Sequence, residues 1–188
     1  MIIYLHGFNS SPQSSKAQHL KGYLQGRGMG HEFSCPQLPP LPDLAVKRVE
    51  AELERHQGRK ITLVGSSLGG FYATWFAEKK HLRAVLVNPA VDPHAGLRAL
   101  LGPQRPYHGG ESYELAEEHL RQWEKLLLTQ IHPERYLLLV ETGDEVLDYR
   151  VAVAKYRGAK QIVVPGGDHT LASFPAHIPA IMEFAGMG

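Results

Sequence analysis

The chain switches repeatedly between two hydrophobic periods. Short apolar runs, the mark of strands covered on both faces, fall at Met1 to Leu5, Ile61 to Val64, Arg83 to Val87, Tyr136 to Val140 and Gln161 to Val164, with a weaker one at His31 to Cys35. Between them apolar residues return at helical spacing. Ala17, Leu20 and Leu24 lie inside Lys16 to Gln25; Leu44, Val46, Val49 and Leu53 follow Asp43, which is placed to cap that helix. Phe71 to Lys80, Val146 to Tyr156 and Phe174 to Phe184 read as further helices. Pro12 and its neighbouring serines mark a helix entrance, Gly26 and Gly28 its exit, and the four prolines from Pro36 to Pro42 force an extended loop. Strands alternating with helices over short connections predict an α/β fold, a six-stranded parallel sheet with helices on both faces, in one domain over residues 1–188.

The alternation pauses once, over residues 91–135, between the fourth and fifth strands. Pro93, Gly96, Gly102, Pro103, Pro106 and Gly109 open this insert, and an amphipathic helix is expected from about Ser112 to Gln130, with Leu115, Leu120, Trp123, Leu126 and Leu127 on its apolar face. That face either packs on the body or caps a site, with Trp123 against a bound substrate; long insertions in compact domains tend to be lids or binding loops.

Composition acts mainly by exclusion. Of the residues 43% are hydrophobic, an ordinary share for a globular chain, and twenty basic against nineteen acidic residues leave a formal charge of +1. No basic run argues for nucleic acid, and no apolar run is long enough for a membrane span. The single cysteine, Cys35, has no internal disulfide partner and suits a reducing compartment. Met1 to Leu5 reads as a core strand rather than a cleavable signal, so a cytoplasmic location is expected. Eleven histidines are scattered without metal-ligand spacing, so neither metal nor cofactor is expected.

The candidate chemistry sits in Gly65-Ser66-Ser67-Leu68-Gly69, a Gly-x-Ser-x-Gly between a predicted strand and a predicted helix. In that context it reads as a nucleophile elbow, with Ser67 exposed at a sharp turn and the amide of Leu68 and the positive end of the following helix aimed at what Ser67 attacks. In a parallel sheet the site lies at the carboxyl ends of the strands. His6 and Gly7 follow the first strand there, Ser67 the third, Asp144 the fifth and His169 the sixth. Serine, acid and histidine in that order match an α/β-hydrolase triad. Asp148, four residues beyond Asp144, is the competing acid; its position one turn into the predicted Val146 to Tyr156 helix favours Asp144.

Tyr4-Leu5-His6-Gly7-Phe8-Asn9-Ser10-Ser11-Pro12, Gly65 to Ala73, Val87-Asn88-Pro89-Ala90, Thr142 to Arg150 and Gly166-Gly167-Asp168-His169 together resemble the α/β-hydrolase superfamily, and within it the small YqiA-type esterases. The resemblance implies a minimal α/β-hydrolase fold in which Met1 begins what is usually the third strand. It also implies hydrolysis of carboxylic esters, with acyl-CoA thioesters among the substrate types. Many relatives in the wider fold carry proline four residues after the acid, where this chain has Asp148.

On this reading His169 takes the proton of Ser67 and returns it to the leaving group, Asp144 fixes the imidazole, and the amides of Phe8 and Leu68 hold the oxyanion. Asn9 and Ser10 either shape the oxyanion loop or touch the substrate, and His6 reads as structural. The expected partner is a small acyl ester or thioester. An acyltransferase on the same triad, or a binding protein of the same fold, stays open as an alternative, as do acyl-chain length, leaving group and oligomeric state.

Overall fold

The structure, a computed structural model, describes residues 1–188. Strand β1 (Ile2–Leu5) is buried on both sides: Ile2 and Tyr4 turn to one face and Ile3 and Leu5 to the other, as the pleat requires. The chain continues through α1 (Ser15–Gly26), β2 (Phe33–Ser34), α2 (Pro42–Arg55), β3 (Thr62–Ser66), α3 (Leu68–Lys80) and β4 (Arg83–Val87). The insert then supplies α4 (Pro93–Gly96), β5 (Gly102–Gln104), β6 (Tyr113–Leu115) and α5 (Glu117–Glu124). The chain closes with β7 (Tyr136–Glu141), α6 (Tyr149–Lys155), β8 (Lys160–Val164) and α7 (Phe174–Ala185).

Six strands pair in the order β2-β1-β3-β4-β7-β8, all parallel. Helices α1 and α7 cover one face, packing Leu20, Leu24, Ile178 and Met182 on Tyr4, Val64, Val85 and Leu139. Helices α2, α3 and α6 and the insert cover the other, bringing Val49, Phe76, Tyr156 and Trp123 onto Ile3, Leu63, Leu86 and Leu138. The strand order reverses at β1, which has β2 on one side and β3 on the other. In an open α/β sheet such a switch point is where the loops diverge and leave a crevice.

Four details differ from the sequence expectation. Asp43 does not cap α2: the helix opens at Pro42, whose fixed φ suits the first helical position, and Leu41 stands at the cap. The buried stripe therefore runs through Ala45, Val49 and Leu53, and Leu44 is 49% exposed. Helix α6 starts at Tyr149, not Val146, because the Asp148 carboxylate accepts the Arg150 amide at 3.0 Å and caps it. The long amphipathic helix of the insert is only α5. Tyr113 and Leu115, read as its first turn, pair instead with Gln104 and Gly102 in an antiparallel hairpin, and beyond Glu124 the chain turns so that Leu126 and Leu127 pack on the core.

Candidate active site

Ser67 occupies the turn between β3 and α3 with φ 53° and ψ −121°, a conformation that costs a non-glycine residue on the order of 1–3 kcal/mol. Its backbone is held on both sides: the amide donates to Val87 O at 3.0 Å, and the carbonyl accepts from Gly70 and Ala90 at 2.9 and 3.1 Å. The glycines of the motif are required by closeness rather than by φ. A Cβ on Gly65 would collide with the Gly69 carbonyl, and one on Gly69 with the Leu5 carbonyl at the end of β1. A Cβ on Gly7, in the loop after β1, would stand 3.2 Å from Ser67 Cβ, so that loop lies against the nucleophile itself.

Three strand ends converge on the serine. His169, on the loop after β8, places Nε2 3.1 Å from Ser67 Oγ, while its Nδ1 lies 2.9 and 2.8 Å from the two oxygens of Asp144, on the loop after β7. The second contact identifies Nδ1 as the protonated nitrogen and leaves Nε2 as acceptor for the serine. Burial pushes Asp144 upward, but the hydrogen bond from His169, the amides of Leu147 and Val146 at 2.8 and 2.9 Å and the attraction of the imidazole together hold its carboxyl below the ordinary range. Asp144 is therefore an anion at neutral pH. Asp148 is half exposed, paired with Arg150 at 2.8 Å and spent on the α6 cap, so it takes no part in the triad.

The two amides assigned to an oxyanion flank the same serine. Leu68 is the first residue of α3, where no helical acceptor exists, and the Phe8 amide donates to no backbone or side-chain group. Of the two parts open to Asn9, the contacts match the shaping of the loop. It is buried, with φ 54°, and its side chain accepts from Tyr113 Oη at 2.7 Å and donates to Gln104 at 3.2 Å, while its carbonyl accepts the Tyr107 amide at 2.8 Å. Asn9 thus ties the oxyanion loop to the insert, and both polar atoms of its side chain are taken up there. His6 is structural: Nε2 accepts the Leu38 amide at 3.0 Å and Nδ1 faces Gly7 O, and burial lowers its affinity for a second proton.

Trp123 packs on the body, one of the two alternatives for its face, and does not reach the cleft as a substrate contact would. Its ring is fully buried, meets Phe8 edge-on with centroids 6.5 Å apart, and donates Nε1–H to Tyr72 Oη at 2.8 Å. It supports the oxyanion loop from behind, and the wall of the site comes instead from the start of the insert.

That wall belongs to a cleft of about 450 Å³ into which Ser67 and His169 open. Val91, Pro93, Leu97 and Leu100 line one side, with Tyr107 and Val146 at the rim, 75% and 61% exposed. The volume is that of a small-molecule site.

A second set of residues fixes the histidine loop, and the sequence reading assigned none of them a role. Asn88, at φ 40°, donates Nδ2 to the carbonyls of Asp168 and His169 at 3.1 and 3.2 Å and accepts the Glu141 amide at 3.1 Å. Glu141, 1% exposed, accepts from the amides of Asp168 and Ser173 at 2.8 and 3.1 Å and from the Ser173 hydroxyl. Glu145 accepts the His169 amide at 2.9 Å. A buried carboxylate among three donors is itself the signal for a loop held by charge. In the sequence Glu141 is only the last letter of an apolar strand.

The chain matches, over residues 1–186, the model of the family described as "Uncharacterised protein family (UPF0227)". The UPF0227 protein of Serratia proteamaculans (strain 568) is 25% identical over 188 residues, covering 98% of each chain. Among solved structures, mouse alpha/beta hydrolase domain-containing protein 10 superposes with a TM-score of 0.72 at 17% identity, covering 97% of this chain and 88% of that one. A monoacylglycerol lipase of Paleococcus ferrophilus gives 0.67 at 18% identity, covering 100% and 94%. Identities so low carry the fold, which is that of the α/β-hydrolases.

Proposed function

From the premise that this chain belongs to the UPF0227 family and has an α/β-hydrolase fold, we propose that it is a serine esterase acting on carboxylic esters, acyl-CoA thioesters included, through Ser67, His169 and Asp144. The observation that carries the reading is the line of contacts from Asp144 through His169 to Ser67 Oγ, at 2.8 and 3.1 Å, on a strained turn inside an apolar-walled cleft. Backbone strain of this kind persists where the surroundings over-determine it, and it serves here to hold a hydroxyl clear of its own helix. The monoacylglycerol lipase of Paleococcus ferrophilus, which shares the fold, supports the same reading.

In the reaction Ser67 Oγ bonds to the acyl carbon as its proton passes to His169 Nε2, and the amides of Phe8 and Leu68 receive the negative oxygen. The C–O or C–S bond breaks, and His169 returns the proton to the leaving alcohol or thiol. Water, losing a proton to His169, then attacks the acyl enzyme; the carboxylic acid leaves and Ser67 regains its proton. Asp144 remains an anion throughout and stabilises the transient imidazolium.

The test combines labelling with turnover. The parent should bond a fluorophosphonate at Ser67 and hydrolyse members of a panel of esters and acyl-CoAs of increasing chain length, whereas Ser67→Ala should do neither. Absence of both labelling and hydrolysis in the parent would sink the proposal. Transfer to an added alcohol or amine in place of hydrolysis would move the assignment to an acyltransferase.

A further inference from the structure

The cleft has polar lining as well as apolar. Tyr4 is fully buried beneath it, and its hydroxyl lies beside those of Ser66 and Ser14 with no partner in hydrogen-bond geometry. Ser14 lines the cleft, its hydroxyl buried and unpartnered, although it stands at the N-cap of α1, where such a side chain ordinarily accepts an amide. Lys16, in the first turn of the same helix, lines the cleft as well; its ammonium donates to the Thr170 carbonyl at 2.6 Å and makes no ion pair. Burial lowers the Lys16 proton affinity, and Asp168, Asp144 and Glu141 raise it from a distance. Those carboxylates are already committed, Asp144 to His169, Glu141 to Asp168 and Ser173, and Asp168 to the Thr170 amide at 2.8 Å. Ser66, beside the nucleophile, completes the polar lining.

A cation without a counterion, two buried hydroxyls without partners and the positive end of a twelve-residue helix form the solvation shell of a small anion. One ammonium matches one negative charge, and hydroxyl donors beside it suit the two oxygens of a carboxylate. The position also assigns a side of the substrate. Lys16 is anchored on Thr170, the residue after His169, and on the proposed mechanism His169 hands its proton to the leaving oxygen; Val91, Leu97 and Leu100 are the apolar lining left for the acyl chain. We propose that Tyr4, Ser14 and Lys16 form a carboxylate subsite on the leaving-group side, so that the preferred substrates are esters of short hydroxy acids. The inference rests on the esterase reading above and narrows its substrate class.

Three esters test it: O-butyrylglycolate, with the carboxylate on the leaving alcohol; O-butyrylglycolamide, its neutral counterpart; and monoethyl succinate, with the carboxylate on the acyl side. The parent should favour the glycolate ester over the glycolamide ester in kcat/KM by about tenfold to a hundredfold, the range of a charged hydrogen-bonded contact. Lys16→Gln should cut that ratio to within about threefold of unity, Tyr4→Phe should cut it partly, and Lys16→Arg should restore most of it. Saturation-transfer NMR with glycolate reads the subsite without turnover: the parent should bind it and Lys16→Gln should not. Equal rates on the two glycolyl esters, a ratio that survives both Lys16→Gln and Tyr4→Phe, or a matching advantage for monoethyl succinate would overturn the proposal. A parent that hydrolyses nothing and takes no fluorophosphonate would refute the esterase reading instead. Glycolate binding would then decide the subsite, its absence overturning it.

Discussion

Replacing Glu141 by glutamine exchanges one oxygen for an NH2 group and should damage the site despite so small a change. Glu141 offers only acceptors to the Asp168 amide, the Ser173 amide and the Ser173 hydroxyl. A glutamine has one acceptor oxygen and one donor nitrogen there. Either orientation leaves an amide of the histidine loop or of Ser173 facing another donor. An orphaned amide costs about 1–3 kcal/mol, and the surviving bonds, no longer charge-assisted, each weaken by about 1 kcal/mol. The sum is about 3–5 kcal/mol. With unfolding entropy near 2.1 cal/mol/K per residue, 188 residues give about 0.4 kcal/mol/K, so the melting temperature should fall by about 8–13 °C.

The same substitution frees Asp168 beside His169, and a base displaced by a fraction of an ångström should cost about 10–100-fold in kcat with a smaller change in KM. The pH dependence gives an independent check. Burial pushes Glu141 up, but the Ser173 hydroxyl and the amides of Asp168 and Ser173 hold its carboxyl below the ordinary value. A carboxyl depressed in the folded state binds its proton more readily when unfolded. Its stabilisation is therefore present above the ordinary carboxylate value of about 4 and is lost as pH falls through the folded value. The gap in melting temperature between parent and Glu141→Gln should be full at pH 7 and narrow below about pH 4. A variant melting within about 2 °C of the parent at pH 7, with kcat within twofold, would refute this account of the clamp.

Ser67→Gly should remove turnover and also raise the melting temperature, since glycine adopts φ 53° and ψ −121° without the strain a side chain adds; a lower melting temperature would mean the turn is unstrained. Asp144→Asn should lower kcat by about three to four orders of magnitude by favouring the wrong imidazole tautomer, whereas Asp148→Asn should leave turnover nearly unchanged, since asparagine can still cap α6; the reverse ranking on one neutral ester would overturn the triad assignment. Trp123→Ala should destabilise by about 3–5 kcal/mol and slow all acyl lengths alike, while Leu97→Ala should spare acetyl esters and slow long-chain ones, each lost methylene contact being worth up to about 0.8 kcal/mol; chain-length series on both variants decide the roles of the two positions.

Features set by short-range chemistry were legible in the sequence. All six parallel strands were placed to within two residues, most plainly the central ones, where burial on both faces leaves no room for polar exceptions. The elbow was legible because the glycines at 65 and 69 are forced by backbone contact, and a side chain at either would collide. Asp144 was separable from Asp148 because four residues of chain change where a carboxylate points, although Asp148 proved to sit at the start of its helix rather than inside it. The insert was misread for a tertiary reason. Tyr113 and Leu115 fit a helical stripe and a strand equally well, and the hairpin wins because Gly102 to Gln104 lies alongside and Tyr113 Oη reaches Asn9. Trp123 on an apolar face looked like a pocket wall, but pairing with Tyr72 satisfies its only polar atom inside the core.

Asn88 shows why the remainder was out of reach. It follows β4, which carries none of Ser67, Asp144 and His169, and Val87-Asn88-Pro89-Ala90 entered the sequence reading only as part of a resemblance, with no role attached. In space β4 lies between the strand that carries Ser67 and the strand that carries Asp144. From there Asn88 donates to the His169 carbonyl, its own amide reaches Leu139, and Ala90, two residues on, donates to the Ser67 carbonyl. Pro89 closes the same loop against Gly70, where any side chain would strike it. A single three-residue turn therefore holds the backbones of Ser67 and His169, which are 102 residues apart in the chain but 3.1 Å apart at Oγ and Nε2. Their separation is set by hydrogen bonds from a turn outside the proposed triad. Pattern and period do not encode such bonds, which depend on which strand the fold places between two others.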